Sequence, residues 1–130
     1  MKQLLVGFVL LIVQVTGPAL AASQPESLSQ VFKRDGPAVV VVHTSGRTIG
    51  RETGGKVVNV AGSGSGVLVS GDGKVVTAAH VVHAADAVAV EFPGGVIVRA
   101  RIVASDPAAD VALLQLESVP PGAVTAKFGD

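Results

Sequence analysis

Two side chains in this sequence have the chemistry of a proton-transfer pair. His80 closes the apolar run Lys74–Ala79 in the tetrapeptide Thr77-Ala78-Ala79-His80, and Asp110 stands thirty positions further on, immediately before the apolar run Val111–Leu116. Histidine is the side chain best suited to take up and return a proton near neutrality. A carboxylate on its second ring nitrogen selects the tautomer and stabilises the imidazolium that forms. Such a pair activates a nucleophile, and no residue here presents itself as that third member. Ser63 and Ser65 lie in a Gly-Ser run leading into a strand, and neither fits G-x-S-x-G. On spacing alone the plainer reading holds: a polar histidine at a strand end and an aspartate capping a helix or turn.

The remaining polar candidates carry less. His43 follows an apolar run and reads as a strand-end residue. His83 lies three residues after His80, but there is no cysteine and no nearby acid to complete a metal site. Asp106 precedes Pro107 and reads as a turn residue, the second choice for the carboxylate. Asp72 sits in a Gly-Asp-Gly turn, and Asp35 and Asp86 read as solvated. Gly62, Gly64 and Gly66 lack the Lys-Ser/Thr of a phosphate loop and precede a strand rather than a helix. No cofactor or metal is called for.

The elements that must position His80 and Asp110 are short strands. Leu28, Val31 and Phe32 recur at helical spacing and predict one short helix, stopped by Gly36-Pro37. Ala38–Val42 is an apolar, β-branched run and predicts a buried strand. Ser45–Gly66 is rich in Gly, Ser and Thr and reads as a long surface loop, with a short strand at Val57–Val60. Gly66–Ser70 and Lys74–Thr77 flank Gly71-Asp72-Gly73 and predict a hairpin. One helical turn is expected at Val81–Ala85. Val88, Val90 and Phe92 then alternate with Ala87, Ala89 and Glu91, Pro93-Gly94-Gly95 turns the chain, and Val96, Val98, Ala100 and Ile102 line one face of the return strand. Ser105-Asp106-Pro107 is a further turn, Val111–Leu116 the last clear strand, and Pro120-Pro121 ends it. Five to seven short strands with little helix predict an all-β antiparallel barrel, closed or partly closed, with an open sandwich as the alternative.

Composition narrows the function. The chain has 130 residues, enough for one domain. Met1-Lys2-Gln3 is basic, Leu4–Val15 is apolar apart from Gln14, and Ala19-Leu20-Ala21 fits a small-residue cleavage site. This is the layout of a secretory signal peptide over residues 1–21, leaving residues 22–130 as the mature domain. The apolar run is about 12 residues, short of the roughly 20 that span a bilayer, so no stable membrane span is expected after cleavage. Basic and acidic residues balance at 10 each, which makes no electrostatic case for nucleic acid. Cysteine is absent, excluding disulfides and thiol chemistry, and Trp and Tyr are absent too, arguing against stacking on bases or sugars.

The local sequence adds a resemblance. Gly64-Ser65-Gly66-Val67-Leu68-Val69, then Val75-Val76-Thr77-Ala78-Ala79-His80-Val81-Val82, then Asp106-Pro107-Ala108-Ala109-Asp110-Val111-Ala112-Leu113-Leu114 follow one another in the order and at the distances of the trypsin-fold serine proteases. The chain most closely resembles their HtrA (Deg) branch, and Pro37-Ala38-Val39-Val40 fits the first strand of that branch. The resemblance runs from about Leu28 to Asp130. It implies the first of the family's two β-barrels, with His80 as general base and Asp110 as its orienting carboxylate. Ala78-Ala79 departs from the branch, where Asn is more common, without disturbing that role.

The larger departure is the nucleophile. The family carries it in a second barrel, in G-N-S-G-G or G-D-S-G-G, together with the oxyanion-hole amides; no serine here is followed by Gly-Gly. One oxyanion donor lowers the barrier by roughly 3–4 kcal/mol. The expectation is therefore a serine endopeptidase by family, acting on exported or misfolded polypeptides in the periplasm or outside the cell. These 130 residues alone are expected to be inactive, truncated before the second barrel. Homo-oligomers and C-terminal PDZ domains occur in the branch, and no residue pattern here carries either over. The alternatives are a non-catalytic truncated half-barrel or pseudoenzyme acting as a binding module, and an adhesion-type β-module in which the His/Asp pair is accidental.

Overall fold

The structure, a computed structural model, describes residues 27–129. The expected signal peptide and its cleavage near Ala21 lie outside the described residues. Helix α1, Leu28–Asp35, opens with a capping box in which the Ser27 hydroxyl accepts from the Gln30 N–H and the Gln30 side chain accepts from the Ser27 N–H. A 3₁₀ turn, Gly36–Ala38, leads into six strands and one further helical turn. These are β1 Val39–Gly50, β2 Lys56–Leu68, β3 Lys74–Thr77, α2 Ala79–Val82, β4 Ala87–Glu91, β5 Ile97–Asp106 and β6 Val111–Leu116.

All neighbouring strands are antiparallel, and they close in the order β1-β2-β3-β6-β5-β4. The expected barrel is present and fully closed. Inward residues meet in one core, in which Val40, Val42, Leu68, Val75, Val90 and Leu114 are almost completely buried. Phe92 is the aromatic ring among the core residues. The two predicted hairpin turns are present. Gly73, Gly94 and Gly95 adopt positive φ there, a conformation that side-chain-bearing residues rarely take.

Four expectations are corrected. Ala38–Val42 is not buried on both faces: Val39 and Val41 are 45% and 43% exposed while Val40 and Val42 face the core. An antiparallel sheet covers only one face of such a strand, so an unbroken apolar run here does not mean two buried faces. Ser45–Gly66 is not a loop. Its two halves form most of a long hairpin, paired from Val39↔Val67 to Gly50↔Lys56, with only the connection at its tip irregular. The ladder is made by main-chain groups, which small Gly, Ser and Thr residues possess as fully as valine does. The helical turn is Ala79–Val82 rather than Val81–Ala85, so His80 lies within it instead of at a strand end. β5 runs through Ser105 and Asp106, and a bulge between Ile102 and Ala104 bends it, leaving Ile102 40% exposed.

The contrast between barrel and hairpin arm gives a stability test. Leu114→Ala, at a fully buried site, is expected to cost about 2–5 kcal/mol. Ile49→Ala, on the arm and 67% exposed, should stay within about 0.5 kcal/mol of wild type. Urea unfolding of both variants checks the difference, and equal costs would mean that the core is misplaced.

Candidate active site

The ladder between β3 and β6 brings the two residues together. Thr77, the last residue of β3, lies opposite Ala112, the second residue of β6. The strands are antiparallel, so the chain leaving β3 and the chain entering β6 sit at the same rim of the barrel. Thr77 is the buried polar residue of this region, and its hydroxyl donates to the Ser65 carbonyl on β2 at 2.7 Å. That bond ties down the end of β3 just before the chain turns. In α2, Ala79 and Val82 are buried and His80 projects between them into solvent.

Asp110 is held from the other side. In the preceding turn, an Asp106 carboxylate oxygen accepts from the N–H groups of Ala108 at 2.9 Å and Ala109 at 3.2 Å. Asp106, the last residue of β5 rather than a residue of the turn, thus caps the turn that follows it, and it is not the partner of His80. Asp110 itself adopts φ 54°, among the described residues the one non-glycine with positive φ. Aspartate tolerates this region better than most side chains.

The contacts form a clamp. His80 Nδ1 lies 2.8 Å from Asp110 Oδ2 and 3.0 Å from Oδ1, and the His80 backbone N–H donates to Oδ1 at 3.0 Å. An ionised carboxylate only accepts, so Nδ1 carries the proton and Nε2 of the neutral ring keeps its lone pair. Nε2 has no hydrogen-bond partner among the described residues. The backbone N–H of His80, followed by its ring, holds the Asp110 carboxyl below the ordinary 3.8, against a smaller desolvation effect. Both side chains are open to solvent, His80 at 74% and Asp110 at 52%.

The other candidates fall elsewhere. His43 is not a strand-end residue: β1 continues seven residues past it to Gly50, and its Nε2 lies 2.6 Å from Glu91 Oε2 on β4. That partner was invisible in the sequence, because the β1–β4 pairing spans residues far apart in the chain. Asp86 is paired with Arg47 at 3.0 Å and Asp35 with Arg34 at 2.9 Å, so neither is merely solvated. Asp72 accepts from Ser70 and Lys74 within its turn. His83 caps α2 and is exposed. Ser63 and Ser65 lie in β2, and neither hydroxyl bonds to His80. Among the described residues, no group of three or more His, Cys, Asp or Glu is arranged to hold a metal ion.

The lowered Asp110 carboxyl fixes the sign of a pH effect. A depressed folded value gives stability that is present above the ordinary carboxylate value and is lost as pH falls through the folded value. The difference in unfolding free energy between wild type and Asp110→Asn should therefore be level above about pH 5 and shrink towards lower pH. Urea melts across an acidic pH series read this directly. A difference that grows as the pH is lowered would contradict the clamp.

Residues 64–130 match the family described as the trypsin-like peptidase domain. The chain is 36% identical over 104 residues to "Serine protease HTRA2, mitochondrial" of Bos taurus, covering 80% of this chain and 22% of that protein. It is 29% identical over a 150-residue alignment to "Probable periplasmic serine protease do/HhoA-like" of Haemophilus influenzae, covering 95% of this chain and 32% of that one. The chain thus spans about a third or less of these curated relatives. An HtrA-type protease solved with a decapeptide superposes with a TM-score of 0.70 at 23% identity, over 80% of this chain and 36% of that chain, a likeness of fold alone. With the matched segment beginning at Gly64 and taking in both His80 and Asp110, this chain belongs to the trypsin-like peptidase family.

Proposed function

We propose that this barrel supplies the base and the orienting carboxylate of a serine endopeptidase that cleaves exported or misfolded polypeptides. The observation that carries the reading is the His80–Asp110 clamp, with Nδ1 held at 2.8 Å and Nε2 without a partner among the described residues. In this mechanism Nε2 takes the proton from a serine hydroxyl as its oxygen bonds to the scissile carbonyl carbon. The imidazolium then returns that proton to the leaving amine as the C–N bond breaks, and water releases the acyl group by the same relay. Asp110 stays ionised throughout and steadies the imidazolium. The serine comes from outside these 130 residues, where no Ser precedes Gly-Gly, so this stretch alone does not hydrolyse peptides. Export to the periplasm or beyond fits the signal-like residues 1–21 and the periplasmic relative.

A second reading, a non-catalytic module that binds through its exposed apolar surface, is favoured by the same missing motif. The native protein from its source decides between them. An intact mass well above 13.0 kDa, with hydrolysis of an unfolded polypeptide, is the expected result. In that protein Asp110→Asn should lower kcat by about 10⁴-fold, and His80→Ala by at least as much. Unchanged hydrolysis in the His80→Ala protein would remove His80 from the mechanism. A native mass near that of the short chain, with no hydrolysis, would favour the binding module.

A further inference from the structure

The clamp depends on where α2 sits, and α2 is only one turn long. Its position is set from below by β2. Gly64 pairs with the inward-facing Val42, so a side chain at 64 would point into the barrel near its rim. That space is already filled. A Cβ built on Gly64 would lie 2.6 Å and 2.7 Å from the two methyl carbons of Val81 and 3.3 Å from its Cβ. Val81 is the residue directly after His80, and it packs partly buried against the core.

We infer that Gly64 is a positioning residue for His80: its bare Cα is the seat on which Val81 rests, and that seat sets the height of α2 over β2. The argument is steric. Valine is branched at Cβ, so turning χ1 moves one methyl away and keeps another in place. Its Cβ is itself tight against the new atom, so rotation alone does not relieve the overlap. Relief requires the backbone of α2 to rise. Val82 and Ala79 are anchored in the core on either side, so the rise falls on His80 and Val81. Asp110 belongs to the β5–β6 connection and does not move with them. The three contacts between His80 and Asp110, all between 2.8 and 3.0 Å, are then pulled out of register. Gly66, two residues on, faces Val75 and Val42 instead; its bareness serves the core and not the histidine.

The consequence for catalysis rests on the proposed protease function, whereas the consequence for the His80–Asp110 pair does not. The test uses the full chain in three forms: Gly64→Ala, Val81→Ala and the double variant Gly64→Ala/Val81→Ala. The first readout is the hydrogen-bonded Nδ1 proton of His80 by NMR, together with the Asp110 titration midpoint. In Gly64→Ala the Nδ1 resonance should be lost or shifted, and the Asp110 midpoint should rise towards the ordinary 3.8. Removing the Val81 methyls in the double variant should restore both. The second readout is peptide hydrolysis by the native protein, where Gly64→Ala should lower kcat on the order of 100-fold, with recovery in the double variant.

A Gly64→Ala chain with the wild-type Nδ1 signal and Asp110 midpoint would overturn the inference. If Gly64→Ala fails to fold, the double variant decides: recovery of fold and pairing supports the seat, and recovery of neither overturns it. Broken and rescued pairing in a native protein that hydrolyses nothing would leave Gly64 as the seat of His80 and defeat the protease reading alone.

Discussion

One seam holds this fold together. Five residue pairs, from Val41↔Glu91 to Ser45↔Ala87, join the first strand to the fourth and turn a sheet into a ring. Closure removes the exposed edges and forces the inner faces into a single core. The core has little else to rely on, since the chain has no cysteine and few aromatic rings. It is built mainly from valine, leucine and alanine. Valine suits a narrow barrel, because its χ1 is nearly fixed in a strand and little side-chain freedom is lost on burial. The same closure decides where the His/Asp pair forms. With β4 and β5 folding back to meet β1, the sixth strand falls beside the third, and the rim they share carries His80 and Asp110.

The pair is positioned by the backbone more than by its own attraction. A carboxylate and an imidazole this open to water attract weakly, because solvent screens them. What keeps them in register is the scaffold on each side. Thr77 is pinned to Ser65, Ala79 and Val82 are sunk in the core, and the Asp106 turn delivers Asp110 in a backbone conformation that few residues adopt. Glycine at 110 would relax the positive φ but would remove the carboxylate that His80 contacts, so aspartate there combines backbone strain with the clamp.

The long hairpin shows where reading by side-chain pattern breaks down. Residues 45–66 lack an apolar alternation because most of the arm stands clear of the core and no face needs to be apolar. Its strands are held mainly by main-chain pairing, which leaves little trace in residue type. The glycines at 64 and 66 are a different case. They look like loop residues in the sequence, yet each faces inward at a point where valine side chains already fill the space. The bulge after Ile102 and the His43–Glu91 contact were hidden for the related reason that both depend on strand register.

By itself the sequence determined the class of fold, the two short hairpin turns, the last strand and the identity of the two residues at the rim. Period-2 apolar runs and Gly-containing turns are local signals, and they survive into the structure because folding does not change which residues are apolar or which can adopt positive φ. The tertiary structure alone decided that His80 and Asp110 touch, which ring nitrogen faces the carboxylate, and that a glycine on β2 lies under the histidine's neighbour. Each of those facts depends on the register and ring order of strands far apart in the chain. A difference of one residue in register turns a side chain to the opposite face, and no local pattern records that choice.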